Sequence, residues 1–166
     1  MQTPKITKIY LDMDGVICDF EKKYKELFQL APREAERHKQ FDVLFKNFIS
    51  NRQFAKLAPM PGTWSGLAYL QSCGIPVEIL SSTAREEYYD EISQQKVEWL
   101  ENFGINFKTN FVPGKKHKYK FATPDSIIID DTPSVIEDWN KAGGIGILHR
   151  DWNETMAILS LYLAKA

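Results

Sequence analysis

Three apolar, β-branched runs of this chain each stop at a cluster of oxygen-bearing side chains, and that recurrence constrains the fold most. Ile9-Tyr10-Leu11 runs into Asp12-Met13-Asp14-Gly15. Ile75-Pro76-Val77-Glu78-Ile79-Leu80 runs into Ser81-Ser82-Thr83, and Ser126-Ile127-Ile128-Ile129 into Asp130-Asp131-Thr132-Pro133. Short runs of this kind between turn residues read as buried strands. Segments of helical period separate them, so the chain alternates strand and helix. That pattern predicts an α/β fold, a doubly wound, Rossmann-like parallel sheet. Ligands of such sheets bind beyond the carboxyl ends of the strands, where all three polar clusters fall. One cluster is an ordinary accident of turn chemistry; three on separate strands predict a single site.

The first strand is expected over Lys5 to Leu11. After it, Asp19 caps a helix carrying Phe20, Tyr24, Leu27 and Phe28 at helical spacing. Ala31-Pro32-Arg33 breaks that helix, and a polar stretch, Glu34 to Gln40, follows. Phe41, Leu44, Phe45, Phe48 and Ile49 form a second apolar stripe, and Pro59-Met60-Pro61-Gly62 closes the segment. Residues 21–58 therefore read as a small helical cap inserted into a core made of 1–20 and 59–166. In the core, Thr63 caps a helix that Gly74 ends. Tyr89, Ile92, Lys96, Leu100 and Phe103 mark a long amphipathic helix. Asn110-Phe111-Val112 is a short strand, and Pro113-Gly114 opens a basic loop with Lys115, Lys116, His117, Lys118 and Lys120. Thr132 and Pro133 start another helix, Ile145–Leu148 is a last strand, and Asp151 or Asn153 caps a terminal helix.

A chain of 166 residues suits one domain with a small insertion, and 43% hydrophobic residues suffice for a core. The net charge of −1 gives no general drive toward nucleic acid or a membrane. Two cysteines, Cys18 and Cys73, make neither a disulfide framework nor a zinc pattern. No run is long enough to span a bilayer, and Met1-Gln2-Thr3-Pro4 opens no signal peptide. The expectation is a soluble cytoplasmic protein with no membrane partner.

The period of two puts Asp12 and Asp14 on one side of the strand line, and Gly15 allows the sharp turn that follows. Two carboxylates that close repel, which implies a cation between them or a shared proton. A hard divalent ion with oxygen ligands, Mg²⁺, fits. With a strand-end hydroxyl, a lysine and a late acidic pair, the set makes a phosphoryl-transfer kit. Asp12 would attack phosphorus, and Asp14 would protonate the leaving alkoxide and then deprotonate water. Ser81 or Ser82 would hold phosphate oxygens, and a lysine would neutralise charge. Each part has a plainer reading: turn serines, acids at a helix N-terminus, a solvated lysine loop. All of these would have to hold together.

Asp12-Met13-Asp14-Gly15-Val16, Ser81-Ser82-Thr83, a lysine, and Ile129-Asp130-Asp131, in that order, resemble motifs I to IV of the haloacid dehalogenase (HAD) superfamily of phosphatases. More narrowly, the extended motif Asp12 through Phe20 is similar to that of the 5'(3')-deoxyribonucleotidases. Phe54-Ala55-Lys56-Leu57-Ala58-Pro59-Met60-Pro61-Gly62 and Trp99-Leu100-Glu101-Asn102-Phe103-Gly104 also look like segments of that family. The resemblance implies a Mg²⁺-dependent phosphomonoesterase acting on deoxyribonucleoside monophosphates through an aspartyl-phosphate. It assigns Asp12 as nucleophile and Asp14 as acid/base. It gives the metal to the Asp12 carboxylate, the backbone carbonyl of Asp14, and Asp130 or Asp131. It puts phosphate on Ser81 and Ser82, with Arg85 as a second basic contact, and the family spacing picks Lys120 as the motif III lysine. Phe20 matches a base-contacting phenylalanine and equally fits the core face of its own helix.

The chain departs from that family in a shorter cap, without a clear counterpart to the aromatic pair that holds the base. Phe41, Phe45 and Phe48 could line the base pocket, but packing of cap on core is the favoured use. A polynucleotide end phosphatase, favoured only by the lysine loop, and a sugar phosphatase keep the same chemistry; no stable nucleic-acid partner is expected. A receiver-type signalling module shares an acidic pair, a phosphorylated aspartate, a hydroxyl and a lysine, but in a different chain order. A non-catalytic, phosphate-binding relative of the phosphatases stands ahead of the receiver reading as an alternative, but no chemical residue is missing. Assembly as a homodimer is left open.

Overall fold

In the structure, a computed structural model describing residues 4–163, a five-stranded parallel sheet has the order β3-β2-β1-β4-β5. Residues 1–3 and 164–166, which belong to the expected core segments and include most of the N-terminal tetrapeptide, lie outside the described residues. The strands are β1 (Lys8–Leu11), β2 (Val77–Ser82), β3 (Lys108–Val112), β4 (Ser126–Asp130) and β5 (Ile145–Leu148). This is the Rossmann order 3-2-1-4-5 without its sixth strand, not the 2-1-3-4-5 order of flavodoxin-like receivers. The chain winds outward from β1 through β2 to β3, then crosses back to β4. The switch point lies between the adjacent strands β1 and β4.

Alternation along the strands builds both layers. Ile9, Leu11, Ile79, Ile127 and Ile129 face one core, filled by α4 (Thr63–Ser72), α5 (Tyr89–Asn102) and α7 (Trp152–Leu163). Tyr10, Leu80 and Ile128 face the other, packed by Val135 and Trp139 of α6 (Pro133–Lys141) and by Phe121 of a 3₁₀ helix, Lys115–Phe121. β4 is buried at all five positions, as a central parallel strand should be.

Between β1 and α4 the chain makes α1 (Phe20–Phe28), α2 (Pro32–Arg37), α3 (Phe41–Ser50) and a 3₁₀ turn, Gln53–Lys56. Asp19 caps α1 as expected, its Oδ1 accepting the Lys22 N–H at 3.1 Å. The stretch expected to be merely polar is helical: Pro32, whose missing N–H costs nothing at a first turn, starts α2 rather than only ending α1. The segment leaves and rejoins the core at one place. Asp19 N–H donates to the Ala58 carbonyl at 2.8 Å and Met60 N–H to that of Ile17 at 2.9 Å. α5 grips it from the core. Gln95 donates to the Ile49 carbonyl at 2.9 Å and accepts the Phe54 N–H at 3.1 Å, and Trp99 Nε1 donates to the Leu57 carbonyl at 2.8 Å. Phe48, Phe54 and Tyr24 are buried in an aromatic cluster with Phe20, each such side chain contributing about 1.5–3 kcal/mol.

Some boundaries move. β1 begins at Lys8 and β2 runs on through Ser82. Thr63 is the first residue of α4, not its cap; Gly62, at φ +78°, turns the chain into it. Asp151 caps α7 through the Glu154 N–H at 2.8 Å. Among the described residues no helix is long and apolar enough to cross a membrane.

Candidate active site

The loop after β1 delivers both acids into one cavity of about 830 Å³ at the carboxyl end of the sheet. Asp12 N–H donates to the Ile129 carbonyl at 3.0 Å, which extends the β1–β4 ladder by one residue and fixes the Asp12 backbone. The chain then turns tightly, with the N–H groups of Val16, Ile17 and Cys18 converging on the Met13 carbonyl at 2.9–3.1 Å. Gly15 takes φ +82°, and a Cβ there would lie 1.9 Å from Asp131 Oδ2. Glycine is required both for the turn and for the carboxylate packed over it.

Asp12 and Asp14 share the cavity wall, but each has its own lysine. Asp12, 4% exposed, accepts from Met13 N–H at 2.8 Å and from Lys118 Nζ at 2.9 Å, both at Oδ1. Lys118 is buried and also donates to Asp130 Oδ2 at 2.7 Å. Asp14 Oδ2 accepts from a different buried lysine, Lys96, at 2.9 Å. The repulsion between the acids, read from sequence as implying a cation between them or a shared proton, is met here by two ammonium groups, Lys118 at Asp12 and Lys96 at Asp14.

A three-carboxylate cluster that shares Asp12 has the donor set for a cation. One oxygen from each of Asp12, Asp130 and Asp131 lies within 4.8 Å of the others. Burial, and then the charge of Asp12, push the Asp130 carboxyl up to about 6 despite the neighbouring Lys118. Asp131 is pushed up to about 7 by loss of hydration and by the charges of Asp12 and Asp130, with Lys115 opposing. Since Asp131 keeps an exposed surface, crowding of charge explains its shift better than dehydration does. Three hard oxygen donors that resist joint ionisation fit a Mg²⁺-type ion. The Asp14 carboxylate stands outside this cluster, paired with Lys96, so the side chain of Asp14 is not placed as a metal ligand.

The structure also sorts the other sequence candidates. Ser82 lines the cavity, its Oγ accepting the Ala84 N–H at 3.0 Å. Ser81, its neighbour on a strand of period two, is fully buried and accepts from Lys96 Nζ at 2.6 Å; it is not on the cavity wall. Lys120 is a correction. It is exposed, and its Nζ lies 3.0 Å from His117 Nδ1, while Lys118 holds the position between the acids. The segment is a 3₁₀ helix, so residues three apart share a face. Lys115 and Lys118 line the cavity together, and Lys120 does not. Arg85 pairs with Asp42 of α3 at 3.0 Å and with Glu87 at 3.5 Å, and it does not line the cavity. Phe20 lines the cavity and packs in the aromatic cluster, stacked on Phe54 at 5.5 Å. Phe41 and Phe45, stacked at 5.1 Å, line it too, whereas Phe48 is buried beneath. Not assigned to the site from sequence were Lys96, which bonds Asp14, and the cavity-lining Arg33 and Glu36 of α2 and His149 and Arg150 after β5. Lys96 had a signal: it is a lysine on the apolar stripe of α5.

The fold is similar to that of a hydrolase from Streptococcus pneumoniae TIGR4, with TM-score 0.57 and 16% identity over 95% of this chain and 100% of that one. It is also similar to a HAD family hydrolase from Deinococcus radiodurans R1, solved with bound phosphate and sodium, with TM-score 0.57 and 16% identity over 95% and 89% of the two chains. A search of curated protein sequences returned no match. The architecture shared with these hydrolases is a Rossmann-like parallel sheet flanked by helices. Residues 5–155 match the family described as "5' nucleotidase, deoxy (Pyrimidine), cytosolic type C protein". The chain belongs to that family and is a phosphoric monoester hydrolase.

Proposed function

We propose that this enzyme is a Mg²⁺-dependent, cytoplasmic phosphomonoesterase that removes phosphate from deoxyribonucleoside monophosphates. The observation that carries the reading is the composition of one cavity, with acids, a buried lysine and Ser82 at the sheet end and Phe20, Phe41, Phe45 and Phe54 on its other wall. Phosphate recognition and an aromatic surface for a flat base are thereby combined. The polynucleotide alternative loses support, because the lysine loop spends its central ammonium on Asp12 and Asp130.

Asp12 is the nucleophile. Its Oδ1 is held by Met13 N–H and Lys118, and Oδ2 takes no hydrogen bond from the described residues. Oδ2 attacks phosphorus, the P–O bond to the sugar breaks, and Asp14 gives its proton to the departing alkoxide. Asp14 then takes a proton from water as that water attacks the aspartyl-phosphate, releasing inorganic phosphate and restoring Asp12. Lys118 offsets the negative charge that gathers on Asp12 and the transferring group, and Ser82 holds a phosphate oxygen. Asp12, Asp130 and Asp131, with the Asp14 backbone carbonyl, would hold Mg²⁺, which when bound supplies charge neutralisation to the phosphoryl oxygens. Residues 21–58 act as the cap that walls the base end and excludes water.

The test is phosphate release from 5'- and 3'-(deoxy)nucleoside monophosphates and sugar phosphates, with Mg²⁺ and with chelator. Metal-dependent turnover concentrated on deoxynucleotides is expected. Turnover confined to sugar phosphates would refute the substrate assignment.

A further inference from the structure

Lys96 is fully enclosed, 1% exposed, on the inner face of α5. Its ammonium has three protons, and three acceptors take them: Asp14 Oδ2 at 2.9 Å, Ser81 Oγ at 2.6 Å and the Ser82 carbonyl at 2.9 Å. The Phe54 ring covers it, with its centroid 5.3 Å from Nζ. No donor remains to reach a phosphate. Asp14, for its part, has no other side-chain partner: its Oδ1 is buried and unbonded among the described residues. The Lys96 bond is therefore what sets the orientation of this carboxylate. The other two bonds of Lys96 tie it to the end of β2, where Ser82 meets the cavity.

We infer that Lys96 is a positioning residue for Asp14, holding the acid/base carboxylate at a set distance and angle from the phosphate site made by the end of β2. This rests on the phosphatase reading of the cavity and on Asp14 as proton donor. A buried ammonium linking two adjacent loop ends suits that role: it orients the Asp14 carboxyl group without touching substrate. A planar guanidinium cannot offer three donors in this tripod, so Lys96→Arg would not substitute.

The role predicts a dependence on the leaving group that simple loosening of the fold would not produce. Departure of a sugar alkoxide needs a proton from Asp14; departure of p-nitrophenolate does not. kcat/KM is the quantity to compare, since it reads the steps up to loss of the alcohol. For Lys96→Gln, kcat/KM on a deoxynucleoside monophosphate should fall by about 10²–10³, in the range of one general acid. On p-nitrophenyl phosphate it should fall by less than about tenfold, the range left when no general acid is required. Ser81→Ala keeps the ammonium–carboxylate pair but removes one leg of the tripod, and should show a smaller loss with the same bias. Equal losses on both esters in whichever of these variants folds, or no loss on either, would overturn the assignment. Absence of phosphate release from both esters by the folded wild-type chain would overturn the phosphatase reading itself, and this role of Lys96 with it.

Discussion

Replacing Lys118 by methionine should cost stability in a way that depends on pH. Lys118 is buried and sits 2.9 Å from Asp12 Oδ1 and 2.7 Å from Asp130 Oδ2. Its own pKa is raised by the charges of Asp12 and Asp130, which outweigh the opposing effect of burial. Lys118 therefore stays charged across pH 5–8, and its stabilisation is fully present there. Methionine fills similar space but leaves two carboxylates facing each other in a site shielded from water. Breaking a buried pair of this kind costs about 3–5 kcal/mol. For a chain of this length that is a drop in Tm on the order of 10 °C. The loss is not constant, because the acids can escape by taking up protons. Burial and the charge of Asp12 already push the Asp130 carboxyl up to about 6, above the 3.8 of a free aspartate. A raised carboxyl pKa means that the native state binds more protons than the unfolded state between the two values, so stability falls as pH rises through that window. Without Lys118 the native value climbs further and the window widens upward. The cost of the substitution should be full at pH 8 and fall below about 2 kcal/mol at pH 5, where only an unsatisfied neutral group remains. Urea unfolding in chelator at the two pH values measures this, with Lys120→Met, an exposed lysine outside the cluster, expected within about 0.5 kcal/mol of wild type. Equal losses at pH 5 and pH 8, or a Lys120→Met variant as impaired as Lys118→Met, would refute the reasoning.

Further outcomes follow from the same geometry. Asp12→Asn should bring phosphate release to background in protein whose far-UV circular dichroism is unchanged; residual turnover at wild-type rate would remove Asp12 as nucleophile. Chelation should abolish activity and added Mg²⁺ restore it, with thermal shift reporting the metal's binding independently of turnover. Phe41→Ala should raise KM for nucleotides about fivefold, from loss of roughly 1 kcal/mol of stacking, and leave KM for small sugar phosphates unchanged; a rise for both would place Phe41 in cap packing alone. Gly15→Ala puts a Cβ 1.9 Å from Asp131 Oδ2 at φ +82°. It should cost about 1–3 kcal/mol of stability and weaken Mg²⁺ binding by displacing that carboxylate, as calorimetric titration would show.

Much of this protein is legible in its sequence, because the signals involved are local. Alternation in Ile9-Tyr10-Leu11 and Ile127-Ile128-Ile129 decides that these are strands and which side chains face which layer. Asp19 and Pro133 mark helix starts because they satisfy or remove the N–H groups that a first turn leaves unpaired. Asp12, Asp14, Ser82, Asp130 and Asp131 were placed together by topology alone, since parallel strands carry their carboxyl ends to one edge.

What tertiary structure decided was the pairing of charges. From sequence the lysine loop offered four equivalent ammonium groups; the three-residue pitch of a 3₁₀ helix turns Lys118 inward and Lys120 out. The same applies to Lys96, which reads as an irregularity on an apolar helix face until β2 and the β1 loop supply its three acceptors. The partners of Ser81 and Arg85 were not legible either, for the same reason: residues distant in sequence, Lys96 and Asp42, engage them. A strand or a cap is specified by neighbours a few residues away. The partner of a long charged side chain is set by whichever element the fold packs within its reach, and that distance is not written along the chain.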